Sequence, residues 1–496
     1  MKSQTPRNLL ANILSLLANV ITGILLLPYL VEKLGVSAYG LIPLSMIATE
    51  YIGIIAQSLQ ASINKYLTVA IKNDAVDEVD KVFSTSIYGM FVLVIMQTLV
   101  FIYPSLHIEK YIQVEHSFVN DARWLFTLTL LGFSLSLIAS VFGVSMYANN
   151  RLDKLQVMSL IRVMTRVAII VVLFSYDEVS LKNVGIATFL SCALALIYSV
   201  YQHKLTMPNV SFSIINFDFK LAKKLYGLGV WLIVNQVGFL LLSRVDLILV
   251  NKLFGPHSAG EYAIGSQFSN LLRTVLGVFS GLMGPIIMGL YAQSKYEEMR
   301  MTVSDAVKVL TVITACAISF LTVYVNEIIA IWLGKSMTEL SYLVYILTIP
   351  LIFNIGILPL FTINTLYERV RLPGMLNIAL GVTSIAIVII AQKLYSVDYT
   401  LIAWVSVVTL SIKNAIFTPI YAANIMKLKW YYFIKYQILA IMCFFLFYFT
   451  LIFLKVDFSN MSSTLEYVKA LLSILIIPML SYIICTKDSL MNLIKR

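Results

Sequence analysis

The chain has 496 residues, of which 59% are hydrophobic and only 12% charged, and its mean hydropathy is +0.88. Soluble globular proteins carry about 25% charged residues, so this composition excludes a soluble enzyme or binding module and points to a polytopic membrane protein. The formal net charge of +11 does not point to nucleic acid, because the basic residues sit between apolar runs, where topology and lipid headgroups account for them.

Runs of about 20 apolar residues predict 14 spans, near 8–31, 41–63, 84–104, 122–147, 157–176, 184–203, 226–250, 263–291, 309–326, 340–366, 375–395, 401–425, 438–455 and 467–485. Span 1 follows a short polar start with Lys2 and Arg7. It is too long for a signal h-region, and LLLPYLV offers no small-residue cleavage site, so it reads as a retained helix. Along it Asn8, Asn12, Ser15, Asn19 and Thr22 recur at spacings of four and three, which is one face of a helix. Span 2 does the same with Glu50, Gly53, Gln57, Gln60 and Asn64. The loop SLHIEKYIQVEHSF between spans 3 and 4 gathers two Glu and two His and reads as a solvated loop. Span 5 carries Arg162 and Arg166, four apart on one face. The longest loop, about 22 residues between spans 6 and 7, is the candidate linker; Phe217 to Leu225 within it fits a short amphipathic surface helix or a plain tether.

Span 7 holds LLLSRVDLILVNKLFG, Leu240 to Gly255, in which Arg244 and Asp246 stand two residues apart. On a continuous helix they point about 200° away from each other, so each needs a partner or water from elsewhere. Span 8 carries a polar-then-small face of Ser266, Asn270, Arg273, Gly277, Gly281 and Gly284, and span 12 contains Lys413. The four cysteines, Cys192, Cys316, Cys443 and Cys485, lie in apolar segments without a CxxC spacing, and His107, His116, His203 and His257 form no ligand pattern. No metal and no cofactor are expected. Nothing like GxxxxGK[ST] occurs, so no ATP hydrolysis by this chain is expected.

With the N-terminus inside, 22 Lys and Arg fall on the cytoplasmic side, 5 in outer loops and 9 within spans. That asymmetry predicts cytoplasmic N- and C-termini. LVNKLFGPHSAG at Leu249 to Gly260 echoes LVEKLGVSAYG at Leu30 to Gly40: each reads LVxKL, then a glycine, then another five residues later. The copies are six spans apart, an even number, so they share one membrane orientation. The expected architecture is therefore an all-α integral membrane protein with two parallel six-helix lobes. They are related by a pseudo-two-fold along the membrane normal, and two extra C-terminal helices follow. The expected divisions are 1–203, a linker at 204–225, 226–425, and 426–496.

Deep within spans lie Glu50, Arg162, Arg166, Arg244, Asp246, Arg273 and Lys413. At a lipid-facing bilayer centre each charge would cost roughly 2.5–3.5 kcal/mol by insertion scales, so most belong in a wet interior. Five cations against two acids make that interior cationic. The stripes of spans 1, 2 and 8 add Asn19, Gln57 and Asn270 to its lining. A cationic interior suits an anionic solute, or a lipid with a phosphate or diphosphate headgroup.

Several stretches carry a family resemblance: NLLANILSLLANVITGILLLPYLVEKLGVSAYGLIPL, SINKYLTVA, RVDLILVNKLFGPHSAGEYAIG and GPIIMGLYAQSKYEEMRMTVSDAV. On these the chain resembles, over essentially its whole length, the polysaccharide-exporter branch of the multidrug/oligosaccharidyl-lipid/polysaccharide transporter superfamily. That branch includes the Wzx-type O-antigen flippases. The chain departs from relatives on span 2, where they often read Asp-Leu-Gly and this chain has EYIG.

The resemblance implies a flippase that moves an undecaprenyl-diphosphate-linked oligosaccharide by alternating access in the bacterial inner membrane. Arg162, Arg166, Arg244, Arg273 and Lys413, with Asn19, Gln57 and Asn270, would line the cavity; the other placements are Arg162 snorkelling to the inner end, Arg244 reaching the outer headgroups or a carboxylate on another helix, and Lys413 serving as a buried partner. Asp246 and Glu50, the only deep carboxylates, would couple H⁺ or Na⁺, or else pair with the arginines. The implied partners are that lipid-linked oligosaccharide, membrane lipid, a polysaccharide polymerase and a chain-length regulator. The alternative readings are a multidrug-extrusion-type cation or drug antiporter, which would want an acidic or aromatic cavity, and a membrane polysaccharide polymerase, which would normally need a sizeable catalytic loop.

Overall fold

The computed structural model describes residues 4–72, 76–208, 210, 217–219, 221, 230–395 and 397–454. Among the described residues there is no β-strand. The predicted span at 467–485, Cys485 and most of the 204–225 linker lie outside the described residues.

Long helices follow from the apolar runs, because in hydrocarbon each backbone N–H and C=O must find its partner within its own segment. The first half forms α1 (Gln4–Leu34), α2 (Val36–Lys72), α3 (Val76–Leu106), α4 (Val119–Ala148), α5 (Leu152–Tyr176) and α6 (Leu181–Thr206). Then come α7 (Val230–Ser243), α8 (Val245–Ala292) and α9 (Tyr296–Trp332). Eleven described segments are long and apolar enough to cross a membrane, so the chain is a multi-pass membrane protein. Leu25, Leu99 and Phe453 are 67%, 71% and 85% exposed. Such apolar surface is a liability in water and the expected outer face in lipid.

Two compact units make up the chain. The first comprises the described residues of Met1–Leu240 with Leu247–Ala263; the second comprises Leu241–Asp246 with those of Ile264–Arg496. In the first, α4 packs on α2, α3 and α6, and α5 packs on α1 and α6. A Cβ on Gly185 would sit 3.1 Å from the Leu125 backbone, the close helix approach that small residues allow in membranes. Its core joins Ile63, Leu67, Phe83 and Met90 to Val141 and Val144. His203 is stacked on Phe83, with ring centroids 4.4 Å apart.

In the second unit α9 packs against α16 (Ile434–Phe453) over Val307, Leu310, Phe433 and Phe447. The predicted span at 340–366 is interrupted, forming α10 (Ser341–Thr348), α11 (Leu351–Asn354) and α12 (Leu358–Leu366). Proline explains the interruptions, since Pro350 and Pro359 lack the N–H that a helix interior needs. After α13 (Arg371–Leu394), the predicted span at 401–425 is α14 (Thr400–Ile412), a π-helical turn at Lys413–Phe417, and α15 (Thr418–Ile425).

Both copies of the LVxKL motif end in the same unusual backbone. Gly35 has φ 82° and Gly255 has φ 93°, a region that only glycine enters readily. The span predicted to run unbroken through residue 244 does not. Arg244 is non-helical (φ −132°, ψ −21°) between α7 and α8, so the 200° divergence of a continuous helix does not apply to Arg244 and Asp246. Gly255, by contrast, turns the chain inside α8.

The connection between α3 and α4 is held by Arg123, which donates from Nε to Glu109 Oε2 (3.1 Å) and from Nη2 to Oε1 (2.8 Å). Those bonds hold the Glu109 carboxyl down to about 2. The folded value lies below the ordinary carboxylate value of about 4.3. The pair's contribution is therefore complete above that pH and lost as pH falls towards 2. Melting of the detergent-solubilised protein should show a constant gap between wild type and Glu109→Gln from pH 7 to pH 5, narrowing below about pH 4. A gap that stays constant to the lowest pH would count against the pair.

Candidate functional site

The stripe on α1 divides into two sets. Asn8 and Ser15 are buried at 7% and 4% exposure. Asn8 is structural: its Oδ1 accepts from the Asp153 backbone N–H (2.9 Å) and its Nδ2 donates to the Asn150 carbonyl (3.1 Å). It thereby fixes the start of α5, where Asp153 also pairs with Arg7 at 3.1 Å and Arg151 at 3.2 Å. Asn12 and Asn19 are exposed although they belong to a membrane-spanning helix. Asn19 turns its Nδ2 back to the Ser15 carbonyl (2.7 Å). On α2, Glu50 is half-buried; the side chain of Gln57 lies outside the described residues.

Arg162 and Arg166 project from α5 as the four-residue spacing predicts, and their charges act on each other. Tyr39 of α2 and Cys192 of α6 stand beside Arg166 as well. The Nε of Arg166 is buried with no hydrogen-bond partner among the described residues. A buried guanidinium donor without an acceptor costs free energy.

The second unit holds another arginine pair. Arg244, at the break before α8, lies close enough to Arg273 for the two charges to repel. Span periodicity alone does not bring these two residues together. Asp246, two residues on, accepts a hydrogen bond from Ser406 Oγ of α14 (2.5 Å). On α8, a Cβ added at Gly277, Gly281 or Gly284 would meet nothing within 4 Å. Among the described residues these glycines therefore leave an open strip on the face of α8 that carries Asn270 and Arg273. Lys413 is placed differently: it is 3% exposed inside the unit, with its Nζ 5.1 Å from the centre of the Phe361 ring. Next to it Asn414 donates to Asn354 (2.8 Å), tying the π-helical turn to the interrupted helix.

A tyrosine or serine in an apolar helix carries no periodic signal, so the sequence does not mark Tyr39 or Ser406. Among the described residues no three His, Cys, Asp or Glu side chains converge as metal ligands. Each unit thus holds two arginines whose charges act on each other within an apolar membrane-spanning segment, an arrangement chemically suited to phosphate oxygens.

The profile of the polysaccharide biosynthesis protein family matches residues 33–342. The chain belongs to that family. Its relatives include the "Uncharacterized membrane protein EpsK" of Bacillus subtilis (strain 168), 25% identical over 428 residues, covering 86% of this chain and 85% of that protein. They also include the "Putative O-antigen transporter" of Shigella flexneri, 20% identical over 389 residues, with coverages of 76% and 88%. Among solved structures, the lipid II flippase MurJ in an inward closed conformation superposes with a TM-score of 0.68 at 16% identity, covering 96% of this chain and 98% of its own. An inward-facing MATE family multidrug resistance transporter of the MOP superfamily gives 0.67 at 12% identity, covering 83% and 96%. This family member therefore has the fold common to MurJ and MATE proteins. The fold does not choose between the two, so the choice rests on the family and on the charges of the site.

Proposed function

We propose that this protein flips a polyprenyl-diphosphate-linked oligosaccharide, an O-antigen or capsule or exopolysaccharide repeat unit, from the inner to the outer leaflet of the bacterial inner membrane. Transport proceeds by alternating access through a cationic interior. The observation that carries this reading is that two arginines in each unit, Arg162 with Arg166 and Arg244 with Arg273, lie within membrane-spanning segments where their charges act on each other. A diphosphate presents two adjacent groups of acceptor oxygens, and each guanidinium can engage one group bidentately. Membership of a polysaccharide biosynthesis family supports the sugar-bearing lipid. Asp246 and Glu50 are the proposed sites for H⁺ or Na⁺, and a polysaccharide polymerase and chain-length regulator are the proposed protein partners.

The test is reconstitution in liposomes with a fluorescent polyprenyl-diphosphate-linked sugar and an impermeant quencher. Loss of protected fluorescence should accelerate only where the protein is present. Uptake of cationic drugs without movement of the lipid would favour an antiporter.

The orientation proposed for this cycle has both termini in the cytoplasm. Cysteines replacing Lys33, Lys110 or Lys252 should label from outside, and those replacing Lys72 or Lys429 only after permeabilisation. Labelling of Lys33→Cys and Lys252→Cys from opposite sides would overturn the parallel repeat.

A further inference from the structure

The connection between α15 and α16, residues 426–433, reads MKLKWYYF and is followed at once by Ile434 and Lys435. No Asp or Glu occurs between Asp398 and Asp457, so Lys427, Lys429 and Lys435 have no acidic neighbour in sequence. All three lysines are exposed, and among the described residues none of them forms an ion pair.

The turn that carries them is fixed from within. The Leu428 N–H donates to the Ala423 carbonyl (2.9 Å) and the Tyr432 N–H to the Lys429 carbonyl (2.9 Å). Phe433 is buried in the core of the second unit beside Tyr436, whose hydroxyl shares a hydrogen bond with Ser304 of α9. The lysine heads lie on aromatic faces. Lys435 Nζ is 4.5 Å from the centre of the Tyr432 ring and 5.0 Å from that of Tyr436, and Lys429 Nζ is 5.9 Å from that of Tyr431. Such contacts attract an ammonium without neutralising it, so both charges stay available to an anion. Trp430, 59% exposed, stands edge-on to Tyr431 at 5.7 Å. Exposed Trp and Tyr at the end of a span are residues that settle at headgroup level.

From this patch an apolar track runs along α16. Lys435, Ile438, Met442, Phe445 and Phe449 follow one another at spacings of three and four, which is one helix face, and all of them are exposed. From Lys435 to Phe445 the helix rises about 15 Å, half of a hydrocarbon core of about 30 Å. Cations at the head of an apolar track one leaflet deep match the two parts of a phospholipid, a phosphate and its acyl chains.

We propose that the α15–α16 connection and this face of α16 bind a diacyl phospholipid with a net negative headgroup, the class of phosphatidylglycerol, whose phosphate Lys429 and Lys435 hold. The site uses none of the arginines assigned to transport. In the orientation proposed above it faces the cytoplasmic leaflet, whose negative surface potential attracts juxtamembrane lysines.

The test is a titration of delipidated protein in neutral detergent with phosphatidylglycerol and with phosphatidylcholine of the same acyl chains, the bound lipid being counted by native mass spectrometry. The wild type should bind phosphatidylglycerol about tenfold or more tightly than phosphatidylcholine, with a margin that shrinks as salt rises. Lys429→Gln/Lys435→Gln should bring the two lipids within about twofold. Lys204→Gln/Lys393→Gln, which removes the same charge from exposed positions elsewhere, should leave the margin intact. Equal binding by the wild type overturns the proposal, as does a margin that survives Lys429→Gln/Lys435→Gln or falls equally in the control. A local readout covers the case in which the lysine variant does not fold. Phosphatidylglycerol with brominated chains should quench tryptophan fluorescence more than brominated phosphatidylcholine does, and Trp430→Phe should abolish that excess. An excess that remains in Trp430→Phe places the lipid elsewhere and overturns the site. Neither measurement uses a transport substrate, so both outcomes are independent of the flippase reading.

Discussion

Arg166→Ala and Arg273→Ala are each expected to abolish glycan export while membrane abundance stays near normal. A hydrogen bond to a charged group contributes about 1.5–3 kcal/mol, so losing a bidentate guanidinium–phosphate contact should weaken binding by roughly tenfold to more than a hundredfold. Folding should tolerate the change at Arg166, because its Nε has no partner among the described residues to lose. Removing an uncompensated buried donor relieves a cost instead of creating one. Lysine at either position should rescue in part, since it keeps the charge and forfeits the planar fork. Export assays with immunoblotted membrane fractions give both readouts. Normal export by both alanine variants would end the cationic-interior hypothesis.

Asp246→Asn should impair transport more than Arg244→Gln does. Asp246 holds a 2.5 Å bond from Ser406, and asparagine preserves the acceptor oxygen while removing the charge that an ion or proton would need. A loss of about tenfold or more is expected, comparable with one charge-assisted hydrogen bond, together with weaker dependence on the ion gradient. Arg244 is one member of a pair, and Arg273 remains after its loss, so Arg244→Gln should cost less. Transport measured with and without an imposed pH or Na⁺ gradient separates these effects. Recovery of activity in the exchange Arg244→Asp with Asp246→Arg would contradict this account, because it would show the two acting as an interchangeable pair.

Periodicity alone located the charged residues but could not assign their environments. Arg162 and Arg166 share a face because they are four apart on one helix, and the structure keeps them together. Asn8, Asn12, Ser15 and Asn19 share a face by the same rule, yet Asn8 fixes the start of α5 while Asn12 and Asn19 stay exposed. Lys413, expected among the cavity cations, is 3% exposed beside Phe361. A stripe identifies which residues point the same way; what stands opposite each of them depends on helices far along the chain.

The sequence by itself determined the membrane class, the position of most helices and the repeated glycine turns. In hydrocarbon a helix must satisfy its backbone internally, which writes its limits into about 20 consecutive residues, and a positive φ at Gly35 and Gly255 restricts those positions to glycine or nearly so. Only the tertiary structure decided that Arg244 breaks its helix and approaches Arg273, that Ser406 bonds Asp246, and that Asn251 closes on Gln113. Those outcomes arise from pairings between residues up to 160 positions apart. Such pairings are set by which helix faces can pack closely, and local composition does not record that.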